Sequence, residues 1–373
     1  MPCKKNYLIY ALFVILITYT AYTFLWMHFG LGVTSVVQLV LLGLVILGFF
    51  AYLASPSSGK NSWINWLFAV WVTQALAYTL GASSSTTQFK ESMFVLLCAA
   101  PIISQQYHPK YAKYFMLVMG AVSIAMYFVT ISMLRLEEEN SYGGGYMTLV
   151  AFPVLLYFFR HKSVRTRMII SIIIFVLVLS SMKRGDILAC ILVILVYYYI
   201  MLRHNGKIDS KVIVALIFVV FAGFLTFKYM LSTSDIFALR FERTMEGDSS
   251  ARDDIYSSLI NYFLIAPLDV QLFGGGFDAS VKISGARAHS DILEVLSCEG
   301  IFGLIIYLGA FFCLFRQMRK STDVAEKAIL ASVLVIWLVK MVFSMFIFSQ
   351  PTIILFVLTG YILNKRIDKQ YEY

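Results

Sequence analysis

His289 stands in a polar stretch directly before an apolar run, followed by Ser290, Asp291, Glu294 and Glu299. An imidazole titrates near pH 6.5, so a histidine in contact with water can take a proton from a hydroxyl group and release it again. Any of Asp291, Glu294 and Glu299 could orient or polarise its ring if the chain folds back. The same carboxylates also suit an ordinary helix N-terminus, where the dipole favours negative charge. The other four histidines, His28, His108, His161 and His204, sit at the ends of apolar runs and read as interface residues.

Cations form the second group. Lys183, Arg184, Gly185 and Asp186 occupy a tight connection between two apolar runs, with the glycine allowing a close turn. Arg252 lies in the segment Ser-Ala-Arg-Asp-Asp-Ile-Tyr, and Arg240 and Arg243 precede it. Guanidinium groups carry planar, permanent donors, so this set suits a phosphate or diphosphate. Gly274, Gly275 and Gly276 permit either a backbone approach to an anion or a simple turn, and a turn is the plainer reading. Lys340, inside an apolar run, is unfavourable unless it is paired or faces a wet cavity.

The elements that must hold these residues are set by composition. Of 373 residues, 60% are apolar and only 14% charged. A water-soluble domain carries about a quarter charged residues. The chain therefore reads as an all-α integral membrane protein. A span of about 20 residues gives about 12 transmembrane helices, near 7–28, 31–54, 62–83, 91–107, 111–134, 143–159, 166–182, 186–202, 211–231, 300–316, 326–346 and 350–364. Little chain is left for a second domain, which excludes a large ectodomain, a fused kinase or a nucleotide-driven pump. Residues 1–373 read as one polytopic domain.

Charge tests that map independently. With the N-terminus inside, most of the 30 Lys and Arg residues fall on inner segments, and every inner connection carries at least one. Both termini are then cytoplasmic, and the net charge of +9 has a topological origin that implies no nucleic acid. The 5 cysteines are scattered singly, with neither zinc-site nor redox spacing. The first apolar run lacks a small-x-small cleavage site and reads as an uncleaved span.

One segment departs from this pattern. Residues 232–299 form a long outer loop between the ninth and tenth spans, and loops of that length are usually functional or disordered. Its aromatic and aliphatic content argues for order. Ile255, Leu259, Tyr262 and Phe263 recur at helical spacing, which predicts a short amphipathic helix over 253–265 at the outer interface. Lys183, Arg184, Arg252 and His289 then all face the same side of the membrane.

In that order and location the segments resemble the O-antigen ligase and O-antigen polymerase superfamily of bacterial envelope proteins. His289 and Ser290, followed after nine residues by Gly300 and then Gly303, resemble its His-Asn/Ser motif with a following Gly-x-x-Gly. Ser-Met-Lys-Arg-Gly-Asp around Arg184, Ser-Ala-Arg-Asp-Asp-Ile-Tyr around Arg252 and Leu-Phe-Gly-Gly-Gly-Phe from Leu272 resemble three further segments. The resemblance covers residues 180–310. Lys183 replaces a common serine, Ala251 a glycine and Tyr256 a tryptophan, which blurs the choice of branch.

The resemblance implies a metal-independent glycosyltransferase without a cofactor, acting at the periplasmic face of the bacterial inner membrane on an undecaprenyl-pyrophosphate-linked oligosaccharide. By the same resemblance Arg184 and Arg252, with Lys183, bind the pyrophosphate, and His289 deprotonates or positions the acceptor hydroxyl. Arg240, Arg243, Asp291, Glu294, Gly274 and Gly276 are supporting candidates. A polymerase is expected, with a flippase and a chain-length regulator as partners beside the bilayer itself. A ligase joining finished glycan to the lipid A core is the alternative. A polytopic transporter or flippase is a more distant one, since the two halves of the chain differ and the charges gather at one face.

Overall fold

The computed structural model describes residues 7–29, 34–55, 61–81, 86–134, 144–181, 183–204 and 252–364, with scattered positions between 213 and 242. About half of the expected ninth span, nearly all of the first third of the outer loop with Arg240 and Arg243, and the cationic tail after Asn364 lie outside the described residues.

Among the described residues the chain is all-helical. The first half comprises α1 (Tyr7–Phe29), α2 (Thr34–Leu53), α3 (Ser62–Leu80), α4 (Thr86–Leu97), α5 (Ala99–Ser104), α6 (Pro109–Leu134), α7 (Gly144–Phe158), α8 (Val164–Ser180) and α9 (Arg184–His204). The second half comprises α10 (Arg252–Ile265), α11 (Leu268–Phe273), α12 (Ala279–Ser284), α13 (Asp291–Lys320), α14 (Val324–Phe343) and α15 (Thr352–Leu363). Among the described residues four stretches, Val36–Leu53, Pro109–Val129, Arg184–Arg203 and Asp291–Lys320, are long and apolar enough to cross a membrane. Tyr7–Ala21, Gly145–Phe158 and Thr352–Leu363 are shorter apolar helices.

Local chemistry explains several boundaries. α8 starts where the Ser163 hydroxyl accepts the Thr166 N–H. α14 starts where the Asp323 carboxylate accepts the Glu326 N–H at 3.0 Å, with a glutamate at the third helical position as in a capping box. The span expected over 91–107 is instead two helices broken at Cys98. Pro101 has no N–H to donate to Leu97, which accounts for the interruption there.

α13 also departs from expectation. It begins at Asp291 rather than at Gly300, and Gly300 is a kink with φ 69° and ψ −166°. Such a break deprives carbonyls of the preceding turn of their helical partners. Those of Ser297 and Cys298 accept from the Gly275 and Gly276 N–H groups at 2.8 and 3.1 Å. The glycine run lies so close that a Cβ at Gly274 would strike the Cys298 backbone, and one at Gly300 would strike that of Leu272. Gly276 in turn rests on Gly81 at the end of α3, and the Phe277 N–H binds the Ala77 carbonyl at 3.0 Å.

Among the described residues the core runs through α1 to α9 and α13 to α15. Trp337 is fully buried there, stacked on Phe346 with ring centroids 5.1 Å apart, and its indole N–H donates to the Tyr307 hydroxyl at 2.7 Å. The polar atom of a buried tryptophan or tyrosine usually finds a hydrogen-bond partner, as both do here.

Candidate functional site

Three helix starts converge. Lys183 and Arg184 open α9, Arg252 opens α10, and His289 with Ser290 leads into α13. The last turn of α14 joins them. Arg252 donates from Nη1 to the Phe343 carbonyl at 3.0 Å. Gly185 faces the side chain of that same Phe343, with 3.7 Å between Cβ positions. The Ser290 hydroxyl donates to the Met341 carbonyl at 3.1 Å. Last-turn carbonyls have no partner within their own helix, so the end of α14 offers acceptors that fix both the arginine and the residue after the histidine.

Beneath this junction Lys340 Nζ lies 2.8 Å from Asp186 Oδ1, with both side chains almost fully buried. Its ammonium also sits 3.9 Å from the ring centroid of Tyr146. The lysine expected to need a partner has one, and that partner is the carboxylate next to Gly185. Asp186 therefore ties α9 to α14. Gly185 is not a hinge in a tight connection, because α9 already begins at Arg184 and carries Gly185 in its first turn.

His289 is exposed and has φ 49°. A left-handed conformation is uncommon for any residue with a Cβ, and at a non-glycine position it reflects surroundings that enforce it. Those surroundings are visible. The Tyr256 hydroxyl of α10 donates to the His289 carbonyl at 3.3 Å. Ser290 is held by α14. On the other side, Glu294 accepts the Ala288 N–H at 3.0 Å and the Ser280 hydroxyl at 2.9 Å. Asp278, itself at φ 64°, accepts from Arg287 at 2.8 Å, and that guanidinium also lies 3.9 Å from Glu294 and over the ring of Phe348.

Partial burial, and after it the positive charges of Arg252, Lys183 and Arg287, hold His289 below the usual histidine range. Both causes disfavour the imidazolium. Both favour the neutral ring, the state in which it accepts a proton, and the three cations are near enough to be felt. Desolvation likewise pushes the Tyr256 hydroxyl up from its ordinary value.

The other candidates have defined places. Asp291 is fully buried and does not turn to the imidazole. It accepts the N–H groups of Phe346 (3.0 Å) and Ile347 (3.3 Å) and the hydroxyl of Tyr307 (2.7 Å), closing the Ser344–Pro351 connection against the start of α13. Glu294 braces the loop before His289. Gly274 and Gly276 donate their amides to backbone carbonyls, so those N–H groups serve the turn. Arg287 escaped the sequence reading although it lies two residues before His289. The carbonyls of Met341 and Phe343 also escaped it, and no residue type marks them. Among the described residues, no three His, Cys, Asp or Glu side chains are grouped as a metal site.

Residues 168–308 match a family model described as O-Antigen ligase. The match supports a likeness of this stretch to the O-antigen ligase and polymerase superfamily. No protein among the curated sequences matches the chain. The ligase-family stretch runs from α8 into α13, so it holds Lys183, Arg184, Arg252, Arg287 and His289 together. The end of α14 that braces these residues lies outside the matched segment.

Proposed function

We propose that the chain polymerises a polysaccharide at the periplasmic face of the bacterial inner membrane. It transfers an undecaprenyl-pyrophosphate-linked glycan to the acceptor sugar of a second lipid-linked repeat unit. The reading rests most directly on an imidazole held below the usual histidine range within the field of Arg252, Lys183 and Arg287, inside the segment that matches the ligase family model.

The chemistry divides accordingly. The acceptor hydroxyl oxygen attacks the anomeric carbon, the bond from that carbon to the pyrophosphate oxygen breaks, and the lipid pyrophosphate leaves with the electron pair. Arg184, Arg252 and Lys183 bind the diphosphate and stabilise the charge growing on it. A leaving group this good needs little general-acid help, and the reading requires no metal. What is left is a weak nucleophile, whose proton passes to His289. The bilayer holds the lipid carrier in this reading, with a flippase and a chain-length regulator acting before and during elongation. About 12 spans, cytoplasmic termini and a periplasmic 232–299 loop complete this topology.

The description of the matching family as a ligase favours a second reading, transfer of finished glycan to the lipid A core. Deleting the gene separates the two. A polymerase defect leaves single repeat units on the core. A ligase defect leaves bare core with long chains stranded on the lipid carrier.

A further inference from the structure

α10 has two faces with different character. Leu259 is buried, and Ile255, Tyr262 and Phe263 are partly buried against the protein. The outward face changes along the helix axis. It begins with Asp253, Asp254, Ser257 and Ser258, carries Asn261 beside Ile260, and ends with Leu264 and Ile265, the last 84% exposed. After a short elbow it continues through Leu268, 70% exposed, and Phe273 on α11.

This apolar surface does not stop at the loop. Phe273 stacks on Phe302 of α13 with ring centroids 5.3 Å apart. Phe302, Ile305 and Phe312 are exposed in turn along α13, one of the helices long and apolar enough to cross a membrane. An exposed apolar side of α13 is therefore continuous with the elbow, and exposed apolar area of this extent marks a surface with a partner.

The backbone of the elbow points the same way. The end of a helix leaves carbonyls that water normally satisfies. Here the Gln271 side chain donates to the Leu264 and Ala266 carbonyls at 3.4 and 3.1 Å, and the Gln271 N–H binds the Pro267 carbonyl at 3.0 Å. Internal satisfaction of this kind is what an apolar surrounding demands. Asp269, exposed on the first turn of α11, sets a limit, because a carboxylate does not enter the hydrocarbon centre.

We infer that the α10–α11 elbow inserts into the outer leaflet of the bilayer, tilted so that Ile265 and Leu268 lie deepest while Asp253 and Asp254 remain in water. At 1.5 Å per residue, Asp254 and Ile265 are separated by about 16 Å along the axis, which bounds the depth. Asp269 keeps the elbow at the level of the headgroups and upper acyl chains. The start of α10, and with it Arg252 and the neighbouring His289, then lies at the water side of the headgroups. This placement concerns the lipid surface alone and does not depend on the proposed transfer reaction.

The test uses the full chain in liposomes, with Cys3→Ser as background and nitroxide labels placed singly at Ile265→Cys, Leu268→Cys, Phe273→Cys and Ser258→Cys. Relaxation by oxygen reports lipid, and relaxation by a water-soluble nickel chelate reports water. The expected result is strong oxygen and weak nickel relaxation at positions 265, 268 and 273, with the reverse at 258. Nickel access at 265 and 268 equal to that at 258 overturns the inference. Shielding from both reagents overturns it too, in favour of a protein partner on this face. Three elbow positions are read so that the loss of one variant leaves the comparison intact.

Discussion

Lys340 Nζ and Asp186 Oδ1 lie 2.8 Å apart, 154 residues distant in sequence and almost fully buried. This ion pair fastens the start of α9, which carries Lys183 and Arg184, to the end of α14, whose carbonyls hold Arg252 and Ser290. Lys183, Arg184, Arg252 and the histidine segment are thus braced by the same helix turn. Removing one partner leaves a buried charge uncompensated, at a cost of about 3–5 kcal/mol. Asp186→Asn and Lys340→Met are each expected to lower the thermal unfolding temperature sharply in detergent, and the double variant to recover most of the loss. Additive losses in the double variant would contradict a direct pair.

The field at His289 gives a prediction in pH. Its folded pKa lies below the usual value of about 6.5, so the ring stays neutral and able to accept a proton at a pH where a free histidine is charged. Removing a nearby cation raises that pKa. Arg287→Gln is expected to move the acid limb of the pH profile of kcat/KM to higher pH. An unmoved limb, or one moved downward, would show that Arg287 does not act on the imidazole. The stability effect has a definite sign as well. As pH falls through the ordinary histidine value, the unfolded chain takes up the proton first, so the folded state loses stability from this residue in acid.

Glycines at the loop joint differ from one outside it. Gly276 has φ 90°, and a Cβ there would sit 2.6 Å from Gly81 Cα, whereas Gly285 has φ 75° and open space around it. Gly285→Ala bears the left-handed backbone strain alone, about 1–2 kcal/mol. Gly276→Ala must also push α3 away from the loop and is expected to cost clearly more in a thermal unfolding comparison. Equal costs would mean that the contact with Gly81 contributes nothing.

Glu294 accepts the Ala288 N–H and the Ser280 hydroxyl and lies beside Arg287. Hydrogen bonds to a charged group are worth about 1.5–3 kcal/mol. Glu294→Ala therefore is expected to free the loop that enforces the left-handed His289, with transfer falling more than donor affinity. A variant that loses donor binding and retains turnover of bound donor would place Glu294 at the anion instead.

Much of this was readable from residue types. The spacing of Ile255, Leu259, Tyr262 and Phe263 predicts the helix that became α10 to within one residue of its start, since period 3.6 is a local property. The need of Lys340 for a partner follows from its apolar neighbours, but the partner does not, because Asp186 is brought near only by tertiary packing. The kink at Gly300 and its closure by Gly275 and Gly276 join backbone groups that every residue carries. For the same reason the carbonyls of Met341 and Phe343 left no trace in the sequence. Asp291 shows the opposite failure: its position beside His289 suggests an orienting role, while its oxygens close the connection before α15.

The central claim is that the cations bind a lipid-linked diphosphate and His289 activates the acceptor. It is tested most directly with purified Arg184→Lys, Arg252→Ala and His289→Ala proteins, by following polymer formation from an undecaprenyl-pyrophosphate-linked repeat unit together with donor binding. The account predicts no polymer from any of the three at undiminished protein levels, with donor binding lost in the arginine variants and retained in His289→Ala. Polymer at the wild-type level from all three would contradict it.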